Sequence, residues 1–171
     1  MQKMTSAYAN KMLKSLEEEK NYWVNKEGTS STYVVANNEE PVVPEYDYVQ
    51  VAKTIAEIDE KITVIKHALN VSNATAKVVV ADIEMSIDTI LIRMAQLNKR
   101  KNVLDIMRKR LPKAREEQRS YMSRNTVPEY RYINYDLDLI KKEYGSVSKT
   151  IMEMQMALDR YNQTVQFEVN M

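Results

Sequence analysis

The stretch 137–165, LDLIKKEYGSVSKTIMEMQMALDRYNQTV, decides the fold. Leu137, Ile140, Tyr144, Val147, Ile151, Met154, Leu158, Tyr161 and Val165 recur at alternating steps of three and four residues. That spacing holds one apolar stripe on one face of an α-helix, with the seam period of a coiled coil. Asp136 stands where an N-cap belongs, its carboxylate placed to accept from a free amide of the first turn. Gly145 costs such a helix about 1 kcal/mol relative to alanine, which a packed stripe absorbs.

Working outward, a second stripe of the same phase runs through Tyr48, Val51, Ile55, Ile58, Ile62, Ile65 and Leu69, with Asp47 as its cap. Residues 46–75 slide onto 135–164 without a gap. Tyr46-Asp47 then falls on Tyr135-Asp136, Lys53 on Lys142 and Ile62 on Ile151. Ala68, Leu69, Asn73 and Thr75 fall on Ala157, Leu158, Asn162 and Thr164, so that eight of thirty positions are identical. The chain therefore reads as one domain, 1–171, made of two halves at about 1–81 and 82–171. A further helix is expected from Ser86 to about Arg110, carrying Ile87, Ile90, Met94, Leu97, Leu104 and Leu111 and limited by Pro112. Another is expected from Thr5 to about Lys26, with Ala9, Met12, Leu13, Leu16 and Trp23 inward. Short β-prone pieces at Tyr33–Ala36, Lys77–Val80, Tyr130–Ile133 and Val165–Val169 complete each half as helix–strand–helix–strand. The expected fold is mainly α: an antiparallel, coiled-coil-like four-helix bundle with a small β-sheet at one end. Its pseudo-symmetric halves should bury one continuous core.

Composition agrees. Hydrophobic residues make up 44% of the chain and charged residues 29%. That is too apolar for disorder. Two glycines and four prolines leave long uninterrupted stretches. The absence of cysteine excludes disulfides, thiol catalysis and cysteine-based metal sites. No apolar signal core follows Met1-Gln2-Lys3, and the most apolar stretch, Val78–Leu97, is broken by Asp82, Glu84, Asp88 and Arg93. The expectation is a cytoplasmic protein without a membrane span.

Several runs carry a resemblance: Ile65-Lys66-His67-Ala68-Leu69-Asn70-Val71-Ser72-Asn73, Met85-Ser86-Ile87-Asp88, Leu111-Pro112-Lys113, Asn134-Tyr135-Asp136, and Ala157-Leu158-Asp159 with Asn162. Together they resemble a family of small, functionally uncharacterised helical proteins of Firmicutes-type bacteria, distantly similar to the septicolysin-like proteins. The resemblance covers nearly the whole chain and implies no activity, substrate or cofactor.

No catalytic signature is legible. His67 is the sole histidine, so neither a Ser/His/Asp grouping nor the paired Glu-x-x-His of a di-iron bundle can be composed. Neither glycine has a glycine neighbour to build a phosphate loop, and Glu17-Glu18-Glu19 reads as a solvated helix face. The expectation is no enzyme, no metal and no cofactor. The matching helix ends place Asn70 and Asn73 opposite Asp159 and Asn162. They read as helix termination, as a register-fixing polar network, or as a pair of sites for a small polar ligand or cation.

Charge is unevenly spread although the net is +1. Lys99, Arg100, Lys101, Arg108, Lys109, Arg110, Lys113, Arg115, Arg119 and Arg124 crowd one segment, while Glu17–Asp47 holds eight acidic residues against Lys20 and Lys26. The basic segment 99–124 could bind phosphate backbones, with Tyr121, Tyr130, Tyr132 and Tyr135 stacking on bases. It could equally pair with the acidic segment, within the chain or between copies. Eleven methionines suit gap-filling in the seams or an adaptable surface for partner helices. The leading expectation is a non-enzymatic helical interaction or scaffold protein that self-associates as a homo-oligomer. A nucleic-acid-binding protein using 99–124 is the alternative, and a ligand or cation site at the Asn73/Asn162 helix ends is the third reading.

Overall fold

The computed structural model describes residues 1–116 and 128–170. Arg119, Tyr121 and Arg124 of the sequence reading lie outside the described residues. The chain is mainly helical, with small antiparallel strand pairs. In order it runs β1 (Gln2–Thr5), α1 (Ser6–Ser30), α2 (Tyr48–Thr75), β2 (Lys77–Val80), β3 (Ile83–Ser86), α3 (Ile87–Arg108), β4 (Lys113–Arg115), β5 (Tyr130–Tyr132), α4 (Leu137–Thr164) and β6 (Gln166–Val169).

The helices start where their caps say they should. Asp47 accepts from the amide of Gln50 at 3.1 Å, and Asp136 from the amides of Asp138 and Leu139 at 2.8 and 3.2 Å, each satisfying a first-turn donor that has no partner within the helix. Thr5 caps α1 through the Tyr8 amide at 3.2 Å. At the matching position of α3, Ser86 instead gives its hydroxyl to the Asp88 carboxylate, which in turn accepts from the Thr89 amide. The repeated Tyr-Asp dipeptide has a second half to its role. Tyr46 reaches back to Glu27 near the end of α1 at 3.1 Å, and Tyr135 to the Met107 carbonyl near the end of α3 at 2.7 Å. In each half the tyrosine ties the two helices together and the aspartate starts the second.

The element order is strand–helix–helix–strand in the first half and strand–helix–strand–strand–helix–strand in the second, in place of the expected helix–strand–helix–strand. Tyr33–Ala36 is not a strand, whereas Gln2–Thr5, Ile83–Ser86 and Lys113–Arg115 are. The expected single sheet is three two-stranded ones: β1 with β6, β2 with β3, and β4 with β5, all antiparallel. The first two are equivalents. Each pairs the opening strand of one half with the closing strand of the other, Met4 opposite Phe167 and Val78 opposite Met85. The β2–β3 hairpin turns at Ala81 and Asp82, whose φ values are 49° and 62°. A two-residue turn with both centres at positive φ matches the twist of the strands it joins.

α1 packs on α2 and α3 on α4, forming two helical hairpins. We call the strand end of each hairpin its base and the α1–α2 or α3–α4 connection its tip. A helix of the length of α2 or α4 separates the two by about 40 Å. Two buried clusters replace the expected continuous core. The first gathers Met4, Ala9, Leu13, Leu16, Ile58, Ile65 and Val169; the second gathers Val80, Met85, Ile87, Ile90, Met154, Leu158 and Tyr161. Met4 and Met85, Ala9 and Ile90, Ile65 and Met154, and Val80 and Val169 are equivalent pairs, buried on both sides. Val169 and Phe167 come from the second half but fill the first core, and Val80 and Val78 do the reverse. Each half thus lends its last strand to the core of the other. Leu111, expected inside α3, lies beyond the helix end and is exposed. α1 runs to Ser30 because Gly28 and the polar residues around it contain no proline to stop it.

Candidate functional site

At the base, the ends of α2 and α4 meet. The Ser72 hydroxyl and the Tyr161 phenol lie 2.7 Å apart and share a hydrogen bond. These two residues fall on one another when 46–75 is slid onto 135–164. The helices do not end at the asparagines. Both continue to a threonine whose hydroxyl donates to the carbonyl four residues back, Thr75 to Val71 and Thr164 to Arg160. Asn70, Asn73 and Asn162 therefore do not end these helices in the left-handed conformation: positive φ at non-glycine residues occurs, among the described residues, at Ala81 and Asp82. Asn70 and Asp159 are exposed, and Asn73 and Asn162 are half-buried in the last helical turns, one residue beyond the Ser72–Tyr161 contact. Asp159 accepts from Gln155 on its own helix at 2.8 Å.

Beside each helix end lies a groove. The first, about 600 Å³, is lined by Val64, His67, Ala68, Val71 and Ser72 of α2 and by Phe167 of β6. Its counterpart, about 370 Å³, is lined by Ala157, Arg160, Tyr161, Val78 and Val79. Tyr161 fills on one side what Ser72 leaves open on the other. His67 is exposed at the rim of the larger groove. Among the described residues no group of three or more His, Cys, Asp or Glu side chains could hold a metal ion, and no helix is long and apolar enough to cross a membrane.

The charged segments occupy the two tips. At the tip of the first hairpin, residues 31–43 are exposed and without regular structure. Glu39 and Glu40 lie there, between Tyr33, Val34 and Val35 on one side and Val42 and Val43 on the other. Val34 is 102% exposed and Val42 90%, as open as in an unfolded chain. Apolar β-branched side chains left wholly in water carry no stabilisation for their own fold. Glu45 and Asp47 continue the acidic run into α2. Burial, and after it the hydrogen bond to Glu27, raises the Tyr46 phenol above its ordinary pKa.

At the tip of the second hairpin the basic residues divide into two groups. Arg100 pairs with Glu143 at 2.7 Å, Arg108 with Asp105 at 2.6 Å, and Lys109 with Asp105 as well. The Arg108 guanidinium also stacks 4.1 Å from the Tyr144 ring centroid, with the Lys101 ammonium on the same ring at 5.7 Å. Both cations are attracted by the negative face of the aromatic ring. Lys109 first, and then Arg108, hold the Asp105 carboxyl below the usual carboxylate range. These residues form a local network. Lys99, Arg110, Lys113 and Arg115 are exposed, and Lys113 sits over the rings of Tyr130 and Tyr132 at 4.2 and 5.6 Å. A concavity of about 250 Å³ opens beside the β4–β5 ribbon, lined by Arg110, Leu111, Ala114, Arg131, Tyr132 and Ile133. Along α3, Ile92, Val103 and Ile106 are exposed on one face. The expected pairing of acidic with basic segment inside one chain is not found: no ion pair among the described residues joins 17–47 to 99–116.

Sequence reasoning placed the charges but missed Ser72 and Tyr161, whose signal was their equivalence in the slide of 46–75 onto 135–164. It also missed β4, the partner of the expected strand at Tyr130–Ile133, because Lys113-Ala114-Arg115 has no β-branched residue. In comparison with known proteins, no family model matches the chain and no curated protein does. A crystal structure of a functionally unknown conserved protein from Corynebacterium diphtheriae is similar in fold, with a TM-score of 0.66 at 13% identity over 98% of this chain and 100% of that one.

Proposed function

We propose that the protein is a non-enzymatic helical interaction protein that self-associates, its four helices acting as one antiparallel scaffold that presents two oppositely charged tips. The observation that carries this is the separation of charge: an exposed acidic and apolar tip on one hairpin, an exposed basic tip on the other, and no ion pair between them among the described residues. Charge complementarity between separate patches favours encounter of copies even where the net charge is near zero. The exposed Ile92, Val103 and Ile106 add an apolar helix face of the kind that partner helices cover.

A second reading has one specific observation in its favour. Lys113 between two tyrosine rings, with Arg110 and Arg115 exposed nearby, is the pairing of cation and stacking platform that single-stranded nucleic acid uses. Arg100, Arg108 and Lys109 are engaged with Glu143 and Asp105, which lowers the charge this surface has to offer. Light scattering on the eluting full-length chain at about 10 and 100 μM tests the first reading, since a micromolar complex forms across that range. A mass that rises with concentration supports it, and an unchanging monomer counts against it. Salt-sensitive binding to mixed-sequence DNA or RNA at about 150 mM salt, lost on Lys113→Glu, would favour the second.

A further inference from the structure

A two-stranded ribbon has two open edges, and the geometry of β4–β5 fixes what each edge offers. The Glu116 amide donates to the Glu129 carbonyl and the Ile133 amide to the Pro112 carbonyl. Antiparallel pairs alternate between bonded and non-bonded. Lys113 opposite Tyr132, and Arg115 opposite Tyr130, are therefore the non-bonded pairs. Their amides and carbonyls point out of the ribbon, so the outer edge of β4 presents the peptide groups of Lys113 and Arg115 with no strand beside them among the described residues. An open edge of this kind is a template for a further strand.

The first tip carries a segment of matching character. Tyr33-Val34-Val35 is β-branched and aromatic, exposed and outside any strand. Such residues favour an extended, half-buried setting, which their own chain does not give them. Glu39 and Glu40 follow, after a turn in which the Glu39 amide donates to the Ala36 carbonyl at 3.0 Å. In the second half the equivalent connection is already a ribbon; in the first it is a strand-like segment without a sheet.

We infer that Tyr33–Val35 of one copy adds as a third strand to the outer edge of β4 in a second copy, with Glu39 and Glu40 facing Lys113 and Arg115. Side chains alternate across a strand. Val34 then lies on the Ala114 face, beside the concavity lined by Leu111 and Ile133. Tyr33 and Val35 lie on the other face, beside Lys113 and its two tyrosines. The occupant is a second copy because the acidic flank of the segment complements the basic flank of the edge. No hydrogen bond or ion pair among the described residues joins the two tips within one chain. This surface rests on the self-association proposed above. It is small beside the interfaces of permanent complexes, so the complex forms and dissociates readily and weakens with salt.

The test is sedimentation of the full-length chain and four variants over about 1 to 200 μM, a range that brackets weak self-association. The variants are Val35→Pro, the pair Glu39→Lys with Glu40→Lys, the pair Lys113→Glu with Arg115→Glu, and all four charge reversals in one chain. Every substituted residue is exposed, and an unchanged melting temperature verifies the fold. In an antiparallel addition the residues opposite Lys113 and Arg115 are the bonded ones, so Val35→Pro removes an amide that the added strand gives to the β4 edge, and each charge-reversed pair sets like charges face to face; each is expected to weaken association about tenfold or more, while the fourfold reversal restores it. If the wild type associates and Val35→Pro associates equally well, the surface is wrong and self-association lies elsewhere. If both charge-reversed pairs weaken association and the fourfold chain does not recover, Glu39 and Glu40 do not face Lys113 and Arg115. If the wild type stays monomeric throughout, the reading of the protein as self-associating fails as well.

Discussion

Removing one oxygen from the contact between the ends of α2 and α4 should cost more than its solvent exposure suggests. Tyr161 is 3% exposed, its ring packed in the second core with Met154 and Leu158. Its phenol bonds the Ser72 hydroxyl at 2.7 Å. Tyr161→Phe keeps the ring and deletes the bond, while Ser72→Ala leaves the phenol without that partner at the end of a buried ring. A hydrogen bond of this kind contributes about 1 kcal/mol net, and orphaning a buried partner costs about 1–3 kcal/mol. Tyr161→Phe should therefore lose about 1 kcal/mol and Ser72→Ala about the same or somewhat more. The double variant should lose less than their sum, with a coupling of about 0.5–1.5 kcal/mol. Urea unfolding of the four proteins at one pH, with equal slopes, gives the cycle directly. Additive losses, or single variants indistinguishable from wild type, would refute the claim that the two halves are joined through this contact.

Other expectations follow from the same packing. An added Cβ at Gly145 meets nothing within 4 Å, and the residue lies within α4. Gly145→Ala should therefore stabilise by about 1 kcal/mol and raise Tm by about 2–4 °C; a lower Tm in a thermal melt would show that the helix is not formed there as described. Ile65 and Met154 are equivalent and 0% and 3% exposed, so Ile65→Asp and Met154→Asp should each unfold the chain or nearly so. Circular dichroism that finds one of the two harmless would break the equivalence of the halves. Asp88, held low first by the Ser86 hydroxyl and then by the Thr89 amide, and Asp105, held low by Lys109 and Arg108, both sit below their ordinary 3.8. A depressed folded pKa stabilises above the unfolded value and loses that contribution as pH falls through the folded one. Denaturation midpoints should therefore drop on acidification below about pH 4, and Asp105→Asn should flatten that drop; an acid limb unchanged by the substitution would contradict the assignment.

The sequence made the helices legible because each carries a long periodic stripe and a short-range start signal. Asp47, Asp136 and the spacing from Leu137 to Tyr161 need no tertiary information. The strands were less legible for the opposite reason. β1 pairs with β6 across the whole length of the chain, and four residues such as Gln2-Lys3-Met4-Thr5 have no pattern long enough to register. The β2–β3 turn was hidden because Ala81-Asp82 holds positive φ without glycine or asparagine. Tyr33–Ala36 misled in the other direction, having strand chemistry and no partner strand among the described residues. Of the candidate site, the charges were plain in the sequence. Their division into Arg108 and Lys109 bound to Asp105, against exposed Lys113 and Arg115, depends on which side chains the α3 end brings together.

The self-association of the chain is tested most directly by its mass as a function of both concentration and salt. Sedimentation of the wild type over about 1 to 200 μM at about 20 mM salt should give a mass that rises with concentration. That mass should exceed the 20.0 kDa of the monomer. At about 0.5 M salt, screening shortens the reach of surface charge to a few ångströms. There the mass should return toward 20.0 kDa. A sedimenting mass of 20.0 kDa at every concentration and both salt levels would contradict the account.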